Sequence, residues 1–223
     1  MRSCKYLSLI TVVFISVLLV SNVASSKIVE LFTFEFDGGT LLFPLSYILG
    51  DVLTEVYGYR RARRVIWLGM YMNVLMALIF MLIVWLPAAP GWENQGALEL
   101  ILGWTPRIVF ASIVAYLVGE FVNSYIMAKI KVKMEGRRLW VRTISSTFVA
   151  QLLDSVIFVM IAFYGVLPFE LVTSIIVANF IIKVGIEVVF TPVTYAAIGF
   201  LKKEEGIDVY DRDTNFNPFH LKS

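Results

Sequence analysis

Residues 168–200 read PFELVTSIIVANFIIKVGIEVVFTPVTYAAIGF. This run is longer than the about 20 apolar residues needed to cross a bilayer, so it reads as a membrane-spanning helix. Inside it Asn179, Lys183 and Glu187 fall at successive i+4 steps, which places them on one face. A charge at the centre of a spanning helix costs about 2.5–3.5 kcal/mol against lipid. The pattern recurs in the other apolar runs, where Asp51, Glu55, Glu120 and Asp154 also lie near the middle. Six such groups, unpaired, would cost roughly 15–21 kcal/mol, more than the about 5–15 kcal/mol by which native proteins are stable. They must face inward and meet partners, water or a ligand. The chain therefore reads as a membrane protein with a polar site at the bilayer midplane.

Composition agrees. Of 223 residues, 59% are hydrophobic and 16% charged, with a mean hydropathy of +0.80; soluble domains run about 45–50% apolar and about 25% charged. The length allows one membrane domain, residues 1–200, and a polar tail, residues 201–223. The single cysteine, Cys4, excludes an internal disulfide framework and any multi-cysteine metal site. No metal or cofactor is expected.

Six spanning segments can be laid along the chain. The first runs from Tyr6 to Ala24 behind Arg2 and Lys5. A cleaved signal peptide competes with an uncleaved helix there, since both have a basic start, an apolar centre and small residues after it; the uncleaved helix is preferred. In residues 28–41, Phe32, Phe34 and Phe36 alternate with Thr33 and Glu35 before Asp37-Gly38-Gly39, which reads as a short external hairpin or re-entrant piece. The second segment, Leu42 to Tyr57, is short at about 24 Å if helical. It ends in Gly58 and the run Arg60, Arg61, Arg63, Arg64. The third spans Val65 to Leu86, followed by an outer loop from Pro87 to Thr105. The fourth spans Pro106 to Ile130, the fifth Leu139 to Gly165, and the sixth the stretch quoted above. With both termini cytoplasmic, every one of the 19 basic residues except Lys27, Arg107 and Lys183 falls inside, as the positive-inside rule asks. Arg60–Arg64 and Lys129–Arg142 read as topology determinants and anionic-lipid contacts, not as a nucleic-acid site. The tail reads as a solvated extension, with docking on the cytoplasmic mouth as its competitor.

The polar residues fall into stripes. Asp51 and Glu55 are at i, i+4, Glu120 and Asn123 at i, i+3, and Thr147, Gln151 and Asp154 descend one face. Asn22 lies near the outer end of the first segment. One cavity would account for these faces. The alternative is internal pairing: Lys183 with Glu187 on their own helix, and Asn123, Gln151 and Asn179 as interhelical hydrogen-bond glue. Pairing leaves five acids against one lysine, so the site calls for a cation or a donor-rich ligand, or protonated acids. A guanine-like base offers adjacent N–H donors to a carboxylate and acceptors to Asn, Gln or Lys. An amine, a proton relay or another heterocycle would also fit.

Several motifs resemble one family. They are Phe43-Pro44-Leu45-Ser46-Tyr47-Ile48-Leu49-Gly50-Asp51-Val52-Leu53-Thr54-Glu55-Val56-Tyr57-Gly58, Gly119-Glu120-Phe121-Val122-Asn123-Ser124-Tyr125, and Arg142-Thr143-Ile144-Ser145-Ser146-Thr147 with Gln151 and Asp154. Lys183-Val184-Gly185-Ile186-Glu187, Thr191-Pro192-Val193-Thr194-Tyr195 and the tail motifs Asp208-Val209-Tyr210-Asp211 and Thr214-Asn215-Phe216-Asn217-Pro218-Phe219 complete the match. Together they resemble the queuosine precursor transporters, also called vitamin uptake transporters. The resemblance implies a bacterial inner-membrane importer of 7-deazaguanines for tRNA queuosine salvage: the 7-cyano or 7-aminomethyl form, or queuine. It implies an all-α membrane protein of six transmembrane helices, similar to the substrate-binding subunits of energy-coupling-factor transporters but acting without a separate ATPase module. A homodimer stays open. On this reading Asp51, Asn123, Gln151, Asp154, Lys183 and Glu187 are the candidate substrate contacts. Asn22, Glu55, Glu120, Ser146, Thr147 and Asn179 are the candidates for support or proton coupling.

Two competing functions follow from the same residues. A membrane enzyme using paired acids is disfavoured, because the chain lacks HExxH, a Gly-x-Ser-x-Gly elbow and a phosphate-binding Gly loop, and its one histidine, His220, is in the tail. A binding subunit for another heterocyclic vitamin, dependent on an ATPase partner, is the closer competitor.

Overall fold

The computed structural model describes residues 4–24, 26–31, 34–103, 106–165 and 168–220. Arg2, Phe32, Thr33, Thr105 and Lys222, which enter the readings above, lie outside the described residues. Five helices are long and apolar enough to cross a membrane: α1 (Leu7–Ala24), α3 (Tyr59–Trp85), α5 (Pro106–Lys133), α6 (Leu139–Phe163) and α7 (Phe169–Glu205). The second expected span is shorter than these. It is α2 (Phe43–Val52), of 10 residues, continued by a five-residue π-helical turn, Leu53–Tyr57. A further short helix, α4 (Gln95–Leu102), lies inside the expected outer loop.

Neighbouring helices close a ring: α1 packs on α3, α3 on α5, α5 on α6, α6 on α7, α7 on α2 and α2 on α1, while α2 also touches α5 across it. One buried apolar cluster joins Ile10, Phe14 and Leu18 of α1, Val52, Leu53, Val56 and Tyr57 of α2 and its turn, Val65 and Ile66 of α3, and Ile198 and Leu201 of α7. Other apolar side chains, such as Leu75, Leu78, Ile181 and Val189, point outward. This is the arrangement expected when lipid is the solvent. Backbone N–H groups of Lys5 and Tyr6 donate to the Glu205 carboxylate (3.1 and 2.7 Å), and Tyr57 Oη donates to it at 2.9 Å. The start of α1 and the end of α7 therefore meet at one end of the ring, the end that also carries the arginine and lysine runs.

Three local expectations are corrected. The hairpin exists as β1 (Ile28–Leu31) and β2 (Phe34–Asp37), paired Ile28 to Asp37 through Leu31 to Phe34. Asp37 is already paired with Ile28, and Gly38 and Gly39 open a 3₁₀ turn, Gly38–Leu41, that leads into α2. Next, α3 starts at Tyr59 rather than Val65 and takes the arginine run into its first turns. Gly58 makes the break with φ 83°, in the left-handed region that favours glycine. The Asp211 carboxylate, brought from the tail, then accepts the Tyr59 N–H at 2.9 Å. Finally, α7 runs past Phe200 to Glu205 and stops at Gly206, φ 60°.

The tail is not a free extension. Arg63 donates to the carbonyls of Asn215 and Asn217 (2.8 and 2.7 Å), Trp67 Nε1 to that of Pro218 (2.8 Å), and Tyr59 Oη to that of Phe216 (3.0 Å). Phe216 and Phe219 pack on the Tyr59 and Trp67 rings. The segment straps the basic end of the ring.

Candidate functional site

Two polar clusters lie inside the ring, and the π turn separates them. A π turn is wider than an α turn and is found mostly as a single turn, often at functional sites. Here it divides Asp51 from Glu55, which enter different clusters although they are four residues apart.

Glu55 is fully buried at the basic end. Its carboxylate accepts both Nε and Nη2 of Arg142 at 2.7 Å and Nζ of Lys202 at 2.5 Å; Nζ of Lys131 lies at 3.5 Å. Lys131 also donates to the Glu55 and Val209 carbonyls and to Asp208 (2.5, 2.7 and 2.5 Å), while Lys202 approaches Asp208 at 3.0 Å. Arg142 Nη1 caps the Gly136 and Arg137 carbonyls (3.0 and 2.8 Å). Glu55 is thus neutralised within the protein rather than left at the midplane. Sequence reasoning missed its partners because basic residues near helix ends look like topology determinants. The available signal was Arg142, which lies inside the fifth apolar segment.

The second cluster forms where α2, α5, α6 and α7 meet. Asp51 accepts Asn123 Nδ2 at 2.7 Å, and its other oxygen has no hydrogen-bond partner among the described residues. One turn before Asn123, Glu120 is fully buried and both its oxygens lack partners among the described residues. Its Oε2 lies 2.9 Å from where a Cβ on Gly50 would sit, so the glycine beside Asp51 admits the Glu120 carboxyl against α2. From α6, Asp154 accepts Lys183 Nζ of α7 at 2.6 Å. Lys183 therefore reaches across to α6 instead of pairing with Glu187 on its own helix. Glu187, buried one turn below, has both oxygens unpartnered, and so are both polar ends of Gln151, one turn before Asp154. Asp51, Glu120 and Glu187 lie within electrostatic reach of one another, as do Glu120 and Asp154.

The other candidates sit apart from this arrangement or on its edge. Asn22 donates to Asn73 Oδ1 at 2.5 Å, and Asn73 in turn to the Gly69 carbonyl at 3.0 Å, an amide link between α1 and α3 that the sequence reading did not pair. Ser146 donates to the Thr143 carbonyl at 3.0 Å. The Thr147 hydroxyl is buried without a partner, as are those of Thr143 and Ser155, which the sequence reading did not single out. Asn179 is half-buried on α7. Among the described residues no group of three or more His, Cys, Asp or Glu side chains is placed to hold a metal ion.

With Glu55 accounted for, Lys183 is the one cation among the described residues that pairs with any of Asp51, Glu120, Asp154 and Glu187. Its unpartnered polar atoms are mostly carboxylate oxygens, with the Gln151 amide and the hydroxyls of Thr143, Thr147 and Ser155 on α6 beside them. Such an arrangement can hold a donor-rich or cationic molecule, and it offers no nucleophile–base pair.

A family model described as "Putative vitamin uptake transporter" matches residues 37–197, a stretch containing every residue of both clusters except Lys202, Asp208 and Val209. The chain belongs to this family. As a vitamin uptake transporter it is a multi-pass membrane protein and a transporter, not an enzyme. It is 30% identical over 186 residues to the "Probable queuosine precursor transporter" of Bacillus subtilis (strain 168), covering 83% of this chain and 81% of that protein. It is 25% identical over 144 residues to the "Queuosine precursor transporter" of Escherichia coli (strain K12), covering 65% and 62%. To the "Probable queuosine precursor transporter" of Haemophilus influenzae it is 26% identical over 133 residues, covering 60% and 54%. No solved structure matches the chain.

Proposed function

We propose that this vitamin uptake transporter imports 7-deazaguanine precursors of queuosine across the bacterial inner membrane, without a separate ATPase module. The observation that carries the reading is the set of buried polar atoms without partners among the described residues at the junction of α2, α5, α6 and α7: one oxygen of Asp51, both of Glu120, both of Glu187 and the Gln151 amide. A 7-deazaguanine has carbon where guanine has its N7 acceptor, so its N–H groups outnumber its acceptors. The Asp51 carboxylate suits the adjacent N–H groups of the base, and the Gln151 amide can answer the carbonyl edge. The Asp154–Lys183 pair closes the site on the α6–α7 side. The names of the three relatives support the choice of substrate.

The topology proposed for this function has six crossings, with α2 and its π turn as the short one and both termini cytoplasmic. The closed ring of helices and the meeting of the α1 start with Glu205 support it. The architecture proposed resembles the substrate-binding subunits of energy-coupling-factor transporters.

The test is rescue of queuosine in tRNA, in cells that neither make nor import precursors, expressing this chain with trace 7-deazaguanines supplied. Rescue that is lost in Asp154→Asn, Lys183→Met and Gln151→Met at unchanged membrane levels supports the reading. Gln151→Met is the most telling of these, because the Gln151 amide has no hydrogen-bond partner among the described residues. Absence of rescue by every precursor, with the protein well inserted, overturns it.

A further inference from the structure

Along the chain, the proposed site is followed at once by a closure built from the same four elements. Four residues after Asp51, about 6 Å further along the helix axis, Glu55 ties together Lys131 of α5, Arg142 of α6 and Lys202 of α7. A base leaving the junction of α2, α5, α6 and α7 toward the basic end has to pass this tie. The tail completes it. Asp208 pairs with Lys131 at 2.5 Å and with Lys202 at 3.0 Å. The Val209 carbonyl accepts Lys131 Nζ at 2.7 Å, and the Val209 N–H donates to the Val56 carbonyl of the π turn at 3.4 Å.

Buried hydroxyls mark the way between site and tie. Thr147 and Thr143 stand four and eight residues before Gln151, on one face of α6, and Thr143 adjoins Arg142. Four other helical threonines, Thr11, Thr173, Thr191 and Thr194, donate to the carbonyl four residues earlier. Thr143 and Thr147 make no such bond. Their hydroxyls have no partner among the described residues, although the side chains are buried. Leaving a buried hydroxyl unpaired costs free energy, so a row of them from Gln151 down to Arg142 is suited to a face that a polar solute passes.

The tie has a firm part and a yielding part. Glu55, Lys131 and Arg142 are 0–1% exposed, whereas the side chains of Lys202 and Asp208 are 25% and 38% exposed. Ion pairs in contact with water are weak. Gly206, at φ 60°, separates the end of α7 from Asp208. The Lys202–Asp208 corner can therefore part while Arg142 still holds Glu55.

Resting on the import reading, we infer that the tail from Asp208 to Phe219 is the cytoplasmic cover of a release route that runs down α6 from Gln151 past Thr147 and Thr143. The cover holds the Glu55 tie shut, and its Lys202–Asp208 corner is where the route opens.

The experiment uses the full chain in inside-out membrane vesicles, whose cytoplasmic face meets the medium. Cys4→Ser removes the one native thiol. Thr147→Cys then places a thiol midway along the route, and Thr143→Cys is a second probe nearer the tie. A membrane-impermeant maleimide should modify either probe slowly while the tail is docked. Asp208→Asn and Phe216→Ser together change the tail alone. They should undock it, as read by hydrogen exchange of residues 206–220, and speed labelling at least about tenfold. Lys202→Met, which opens the same corner from α7, should act in the same direction. A freed tail with unchanged labelling overturns the inference, because the tail then covers nothing. A tail that stays protected overturns it too, since the named contacts would not be what holds it. If labelling rises equally at Val159→Cys, buried beyond Asp154 on α6, the tail holds the bundle together rather than covering a route, and the inference fails. Labelling needs no substrate, so its failure leaves the import reading standing, whereas failed rescue by every precursor removes that reading.

Discussion

Glu55→Gln is the most informative single perturbation of the fold. The substitution keeps the side chain's shape and removes its charge, leaving Arg142, Lys131 and Lys202 to face Asp208 alone. Arg142 and Lys131 are almost wholly buried, whereas Lys202 keeps a quarter of its side chain exposed, so two of the stranded cations cannot recover hydration. Removing one partner of a buried pair costs about 3–5 kcal/mol, a large share of the roughly 5–15 kcal/mol that holds a protein folded. For a chain of this size, at about 2–4 °C per kcal/mol, the melting temperature should fall by roughly 6–20 °C. The assay is thermal unfolding of purified protein in one detergent, followed by tryptophan fluorescence and by loss of the monodisperse peak. Glu55→Asp, which keeps the charge, should lose less. The double variant Glu55→Gln/Arg142→Met should fall by less than the sum of its parts, because it removes one of the stranded cations. A Glu55→Gln protein within about 2 °C of wild type, less than 1 kcal/mol, would refute the assignment of Glu55 as the counter-charge. So would a fully additive double variant.

Three further outcomes test other parts of the structure. Gly58→Ala forces an L side chain into φ 83° with its Cβ 2.6 Å from Val209 Cγ1; the backbone part costs about 1–2 kcal/mol, so Gly58→Ala/Val209→Ala should recover only the clash, as read by melting temperature. Asn73→Leu strands the Asn22 amide and should cost about 0.6–2 kcal/mol, with Asn22→Leu/Asn73→Leu restoring the melting temperature and uptake unaffected throughout. Burial alone would raise the Asp208 carboxyl, but hydrogen bonds and charges from Lys131 and Lys202 outweigh it and hold it below the ordinary carboxylate range. Its contribution to tail docking is therefore complete above about pH 4 and lost as pH falls through the depressed value. Hydrogen exchange of residues 206–220, corrected for the intrinsic pH effect, should stay constant from pH 7 to 5 and rise only below about pH 4.

What the chain reveals unaided divides along a physical line. Spanning helices are legible because apolar length is a local property: the runs beginning at Tyr6, Pro106, Leu139 and Pro168 all become helices close to their expected limits. Burial of Asp51, Glu120, Asp154 and Glu187 is also legible, since the cost of a charge in lipid depends on little beyond its position. Partnership is not. Lys183 meets Asp154 because α6 and α7 are neighbours in the ring, and nothing in the i, i+4 spacing to Glu187 announces that. The docking of the tail is hidden for another reason: Arg63, Trp67 and Tyr59 recognise main-chain carbonyls, which every residue has. The capping of α3 by Asp211 connects positions 152 residues apart, and a pattern read in local windows passes over it.

That long connection bears on how the molecule is made. Arg63 and the N-terminus of α3 acquire their partners only when Asp211 through Pro218 have been synthesised. At about 5–20 residues per second, that is roughly 8–30 s after Tyr59 leaves the ribosome. In the interval these groups must stay in contact with water or lipid head groups, so the ring can be threaded through the bilayer while its basic end is still open. Closure by the strap can follow only once translation has reached the tail. A chain stalled before residue 208 would hold the transmembrane helices and the buried acid cluster, yet leave Arg63, Trp67 and the Tyr59 N–H without the partners that the finished chain supplies.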